Sequence, residues 1–182
     1  MTPRRLDLAQ RLNALGAIVS ALVIAGAWYF EFSTHEAPCP FCLMIRICFT
    51  GIAIGALLNV RFGVKVAHYG LCLLFAVVGM VIAFYDVVSS YPPLGSWGST
   101  PFMGLHLPTW GFISFAGAAA LLGLVMFWEG QFRGEPMAAR AAETSSLWRL
   151  VYYVAFGLIA VITAGNVIIG YTVCGASLTC AA

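Results

Sequence analysis

The sequence is poor in charge. Only 9% of its 182 residues are Asp, Glu, Lys or Arg, and nine basic against seven acidic side chains leave a formal charge of +2. That excess is too small, and too scattered along the chain, for a nucleic-acid surface, so nucleic-acid binding is set aside. Polar sequence for a separate soluble domain is also missing, because 62% of residues are hydrophobic and the mean hydropathy is +0.94. Those values exclude an ordinary water-soluble fold. No internal repeat or low-complexity segment is present. A spanning helix takes about 20 residues, so four or five spans with short loops fill the length. The expectation is one integral membrane domain over residues 1–182, all-α.

The apolar runs predict helices over about 13–32, 42–60, 66–88, 108–128 and 148–171. The first follows Arg4, Arg5 and Arg11 and ends on Trp28-Tyr29-Phe30, an aromatic belt. A signal peptide is the rival, since Ala25-Gly26-Ala27 has the small residues of a cleavage site. The run is long for that and is read as an uncleaved anchor. Between the third and fourth helices, Ser89 to Leu107 is turn-rich yet apolar, with Pro92-Pro93, Trp97, Phe102 and Met103. It is expected along the membrane interface, where it could roof a site. Residues 129–147 are the most polar part of the chain.

Basic residues set the orientation. Eight of the nine stand before the first helix (Arg4, Arg5, Arg11), between the second and third (Arg61, Lys65), or between the fourth and fifth (Arg133, Arg140, Arg149). Excess Lys and Arg marks cytoplasmic loops, so the N-terminus is expected in the cytoplasm. Cys39, Cys42, His35, the Ser89 to Leu107 stretch and the tail with Cys174 and Cys180 then face outside. In a bacterial inner membrane that side is the oxidising periplasm.

Chemistry concentrates at Pro38-Cys39-Pro40-Phe41-Cys42. Two intervening residues let the sulfurs meet within one turn, and Pro40 presets that turn. Cys42 is expected in the first turn of a helix, where unpaired N–H groups and the positive dipole end favour thiolate. Arg46, the ninth basic residue, lies four positions on and shares the face of Cys42. A guanidinium there stabilises the thiolate and any anionic oxygen brought beside it. A structural disulfide or half of a metal site are the alternatives for the pair, and a snorkelling side chain is the alternative for Arg46.

Cys48 points away from the Cys42 face, and Cys72 sits in the inner half of the third helix; both are read as inert core thiols. Cys174 and Cys180 flank Gly-Ala-Ser-Leu-Thr and can close a small loop, either a shuttle that exchanges with Cys39 and Cys42 or a structural staple. His35 and His106 share the outer side with these cysteines, but their spacing matches no metal-ligand pattern and no metal is assigned. Asp86, Glu31 and Glu36 are read as interfacial carboxylates facing water, with proton delivery to a quinone as the alternative for Asp86. Trp28, Tyr91, Trp97 and Trp110 are read as interface anchors.

Two segments resemble the DsbB-like disulfide bond formation proteins. One is Pro38-Cys39-Pro40-Phe41-Cys42 with Arg46, and the other is Gly104-Leu105-His106-Leu107-Pro108-Thr109-Trp110, similar to a Gly-Leu-x-x-Pro-x-Trp segment leading into that family's fourth helix. The likeness covers roughly residues 10–128. It implies a four-helix transmembrane bundle, here with a fifth C-terminal helix added. It also implies ubiquinone or menaquinone near Cys42 with Arg46 beside a quinone oxygen, and a periplasmic, DsbA-like thioredoxin-fold dithiol protein as electron donor. The expected activity is that of a membrane thiol:quinone oxidoreductase with Cys39, Cys42, Cys174 and Cys180 as its redox residues. The family keeps its second cysteine pair between the third and fourth helices, where residues 89–107 here have none. A non-catalytic accessory subunit assembled with other membrane subunits, and a periplasm-facing metal-handling protein, therefore remain as rival readings.

Overall fold

The computed structural model describes residues 3–34, 39–92, 94–95, 101–133 and 146–174. Five helices carry the chain: α1 (Pro3–Thr34), α2 (Pro40–Phe62), α3 (Val66–Ser90), α4 (Leu107–Met126) and α5 (Ser146–Cys174), with a short 3-10 turn at Glu129–Arg133. All five are long and apolar enough to cross a membrane. The protein is an all-α, multi-pass membrane protein. α2 packs against α1, α3 and α5, while α4 packs on α3 and α5 on α1. The fifth helix thus closes over the α1–α2 side of the bundle.

Lipid tails are as apolar as leucine, so helix association in a membrane depends on close packing. The core supplies it with small residues: Ala17 and Ala21 of α1, Ala53 and Ala56 of α2, Ala76 and Ala83 of α3, and Ala155 of α5 are all buried. Larger side chains such as Leu22, Leu74, Phe84, Leu121 and Val161 stay exposed on the outer faces. Those faces meet lipid. α2 and α3 approach closely at Gly55, where an added Cβ would lie 2.5 Å from Cys72 Sγ and 3.0 Å from the His68 carbonyl oxygen. Gly55→Leu should therefore lower stability by about 1–3 kcal/mol. Thermal unfolding in detergent measures it, and an unchanged midpoint would show that the helices separate there freely.

One polar cluster joins the opposite end of the bundle from the cysteine pair. Asn59 Nδ2 donates to Asn13 Oδ1 at 2.9 Å, Asn13 Nδ2 donates to the Tyr69 hydroxyl at 2.8 Å, and that hydroxyl donates to Gln131 Oε1 at 2.9 Å. Each partner is buried, and each bond offsets the cost of removing an amide or hydroxyl from water. α1 starts at Pro3 and not near residue 13. Residues 3–12 contain strong helix formers, and Ala9 is buried with Val64 and Tyr69, so the helix packs against the bundle there.

Candidate functional site

Cys39 is the N-cap of α2, with φ −72° and ψ 157°, and Pro40 stands at the first helical position, where a missing N–H costs nothing. The helix thus begins two residues before the expected Cys42. Cys42 falls in its first turn as expected, and the Cys39–Cys42 disulfide is formed with a Cα–Cα distance of 5.1 Å. The Cys42 N–H donates to Cys39 Sγ at 3.0 Å. This first-turn N–H is therefore directed at the N-cap sulfur, Cys39 Sγ.

Arg46 does not snorkel. It is 3% exposed, and its Nη2 pairs with the Glu31 carboxylate of α1. Its Nε and Nη1 are buried without a hydrogen-bond partner. Glu31, read from sequence as facing water, is instead turned inward with 14% of its side chain exposed, because the guanidinium across the α1–α2 interface neutralises it. Asp86 departs from the same reading. It is 6% exposed near the outer end of α3, its Oδ1 accepts a long 3.5 Å bond from Ser90 Oγ, and its Oδ2 has no partner.

These groups surround one cavity of about 280 Å³. Cys42, Arg46 and Phe49 come from α2, Phe30 and Glu31 from α1, Asp86 from α3, and Trp110 and Ser114 from α4. The volume is at the small end for a ligand site, suited to one substituted ring, and the wall is mostly apolar. Phe102 adds to its wall from the segment before α4.

That segment is built locally. Phe102 and Leu105 exchange backbone hydrogen bonds of 2.8 and 3.1 Å across a tight turn, with Met103 at φ 50° and Gly104 at φ 83°. Glycine tolerates that left-handed conformation without steric cost, which accounts for Gly104. Pro108 follows in the first turn of α4, behind the N-cap His106. Trp110 Nε1 donates to the Phe102 carbonyl at 3.0 Å, and the Phe102 ring meets Phe30 edge-on at 4.9 Å. Trp110 is therefore part of the cavity wall, which corrects its reading as a simple interface anchor. Trp28 is corrected too, since it packs across Gly165 of α5 and donates to Asn166 Oδ1 at 3.3 Å.

Cys48 and Cys72 are free and buried, as expected of core thiols. Cys174 ends α5, and Cys180 lies outside the described residues, as do His35, Glu36 and Trp97. The structure thus unites Cys39, Cys42 and Arg46 and adds Glu31 and Asp86, which sequence reasoning placed in water. The available signal was their position: carboxylates at or within the ends of apolar runs are expensive there, and a functional role is the default.

Residues 9–97 match the family model described as "Disulfide bond formation protein DsbB". Proteins named "Disulfide bond formation protein B" from Cupriavidus metallidurans and Cupriavidus necator are 36% and 35% identical over 86 residues, covering 47% of this chain and 53% of each relative. "Disulfide bond formation protein B 1" of Pseudomonas fluorescens strain Pf0-1 is 26% identical over 155 residues, covering 66% of this chain and 91% of the relative. The chain spans about half the length of the two Cupriavidus relatives. No solved structure matches significantly. The cysteine pair and Arg46 lie inside the matched stretch, and the first three helices lie inside or reach into it, so over that stretch the chain is similar to the disulfide bond formation proteins of the DsbB family.

Proposed function

We propose that this chain is a membrane thiol:quinone oxidoreductase that generates disulfides, acting in a bacterial inner membrane with Cys39 and Cys42 on the periplasmic side. One observation carries the reading. A formed redox disulfide and a buried guanidinium with two unpartnered nitrogens face the same apolar cavity. The match to proteins named for disulfide bond formation supports the same chemistry.

The residues present fit a quinone. Its ring suits a cavity of this size with aromatic walls, and its carbonyl oxygens offer acceptors for Arg46 Nε and Nη1, which have none of their own. Ubiquinone or menaquinone would supply a two-electron, two-proton acceptor when bound. The chain's own groups do the rest. Arg46 places fixed positive charge where negative charge develops on an oxygen, without reorganisation at the moment of reaction. Glu31 holds that guanidinium in place, while Phe102 and Trp110 supply aromatic wall to the cavity. Cys42 is the member of the pair that lines the cavity, so it faces the acceptor and leaves Cys39 for exchange with an outside thiol.

The donor in this scheme is a periplasmic thioredoxin-fold dithiol protein. Cys174 and Cys180 act between it and Cys39–Cys42, in the role that residues 89–107, lacking cysteine, do not fill. The test follows quinone absorbance in purified protein given a reduced thioredoxin-fold donor or dithiothreitol. The unaltered chain should reduce quinone with either donor. Cys174→Ser should lose at least about 10-fold with the protein donor while retaining the dithiothreitol reaction. Equal rates with both donors would make the tail pair a staple. The missing loop cysteines favour one second reading, an accessory subunit, and no reduction with any donor or quinone would establish that reading instead.

A further inference from the structure

We propose that Asp86 is the proton acceptor of the cysteine pair, a catalytic carboxylate that takes the thiol proton as the disulfide closes and passes it into the cavity. The inference rests on the thiol:quinone reading above. Its footing is geometric. An Asp86 carboxylate oxygen and the sulfurs of Cys39 and Cys42 all lie within 4.8 Å of one another, on two helices joined there by the contact of the Phe41 and Tyr85 rings at 5.4 Å. Asp86 also lines the cavity, so one carboxylate borders both the proton's source and its destination.

Burial makes the placement costly. A carboxylate inside an apolar span is disfavoured unless something compensates it, yet among the described residues Oδ2 has no hydrogen-bond donor and Oδ1 accepts only the long bond from Ser90. Among the described residues its side-chain partner is Ser90, on the same helix. The other charged or titratable side chains around the cavity are Glu31 from α1 and Cys42 and Arg46 from α2, and α4 contributes none among the described residues. The guanidinium of Arg46 is engaged by Glu31 through Nη2, which leaves Asp86 as the carboxylate without an ion pair. A structural carboxylate would be expected to hold its partners on both oxygens. This carboxylate lies beside two sulfurs and keeps Oδ2 without a partner among the described residues.

The balance is simple. The reduced pair enters with Cys42 as thiolate, its proton already released to water, and Cys39 as thiol. The Cys39 S–H bond breaks, the Asp86 carboxylate takes that proton, and one S–S bond forms as two electrons leave for the quinone. Asp86 then returns its proton to a quinone oxygen while water supplies the second, so dithiol and quinone become disulfide and quinol. Asp86 ends as it began, ionised.

The experiment uses full-length protein with three chains: unaltered, Asp86→Asn and Asp86→Glu. Alkylation of reduced, quinone-free protein with iodoacetamide is followed against pH, with Cys39 and Cys42 resolved by peptide mass spectrometry. Quinone reduction by dithiothreitol is measured in parallel. Removing the negative charge should move the alkylation midpoint of the pair to lower pH by about one unit, since a carboxylate beside a thiol opposes thiolate formation. Quinone reduction should nevertheless fall at least about 10-fold in Asp86→Asn, a loss in the range of general acid–base contributions, and recover in part in Asp86→Glu. More thiolate with less turnover is the signature of a lost proton acceptor. An unmoved midpoint, or a moved midpoint with unchanged turnover, overturns the proposal. If the unaltered chain reduces no quinone, the thiol:quinone reading fails, and the alkylation profile still shows whether Asp86 is coupled to the pair.

Discussion

Cys42→Ser should abolish quinone reduction, by on the order of 1,000-fold or more, whichever thiol donor is used. The reason is chemical. Electrons leave a dithiol pair only as a sulfur–sulfur bond closes, and the attacking species is the thiolate. A serine hydroxyl neither ionises in the working range nor forms that bond. Cys39→Ser should lose turnover equally for want of the second sulfur, even though only Cys42 lines the cavity. Quinone binding should survive in both variants, since Arg46, Phe49 and Trp110 are untouched, and quenching of tryptophan fluorescence by added quinone measures it. Intact binding without turnover assigns the loss to the sulfur chemistry. Normal turnover in Cys42→Ser would remove the pair from the reaction.

The local parts of this site were legible in the sequence. Pro40 presets the turn that joins the sulfurs, and Gly104 through Trp110 form their own closed turn and helix start, because each contact spans only a few residues. The five spans were legible for a different reason. A bilayer forces every backbone polar group into internal hydrogen bonds, so a long apolar run has little choice but helix. Hydropathy says how deep a residue sits and little about which neighbour it faces. That is why Glu31 and Asp86 were assigned to water, while the fold brings them into one cavity from α1 and α3. It is also why the Asn13, Asn59, Tyr69 and Gln131 cluster went unseen, since its members lie on four different elements.

Position in the helix did identify Arg46 as unusual, through the cost of a charge in an apolar span. Its partner was hidden. Glu31 is 15 residues earlier, beyond any periodicity within one helix, and the two meet only because α1 and α2 pack together at their outer ends. The pairing changes what Arg46 offers a ligand. One nitrogen is committed to Glu31 and two remain free. A guanidinium held in this way presents fixed donors at little entropic cost on binding, since its rotamer is already set.

Arg46→Ala and Glu31→Gln should therefore differ in kind. Arg46→Ala removes the donors to the quinone and leaves a buried carboxylate unpaired. Hydrogen bonds from a charged group contribute about 1.5–3 kcal/mol, so apparent quinone affinity should weaken by roughly 10- to 150-fold. Breaking a buried pair from one side also destabilises the fold, typically by about 3–5 kcal/mol. Glu31→Gln keeps the shape and an acceptor for Nη2, and Nε and Nη1 remain available. It should lower the unfolding midpoint in detergent while leaving the quinone KM close to that of the unaltered chain. The double variant Arg46→Ala/Glu31→Gln should be less destabilised than the sum of its single changes, because neither buried charge is then left alone. Quinone titrations and thermal unfolding of all four proteins separate the two roles. An unchanged quinone dependence in Arg46→Ala would reduce Arg46 to a structural partner of Glu31, and the acceptor's oxygen would then have to be held by another wall of the cavity.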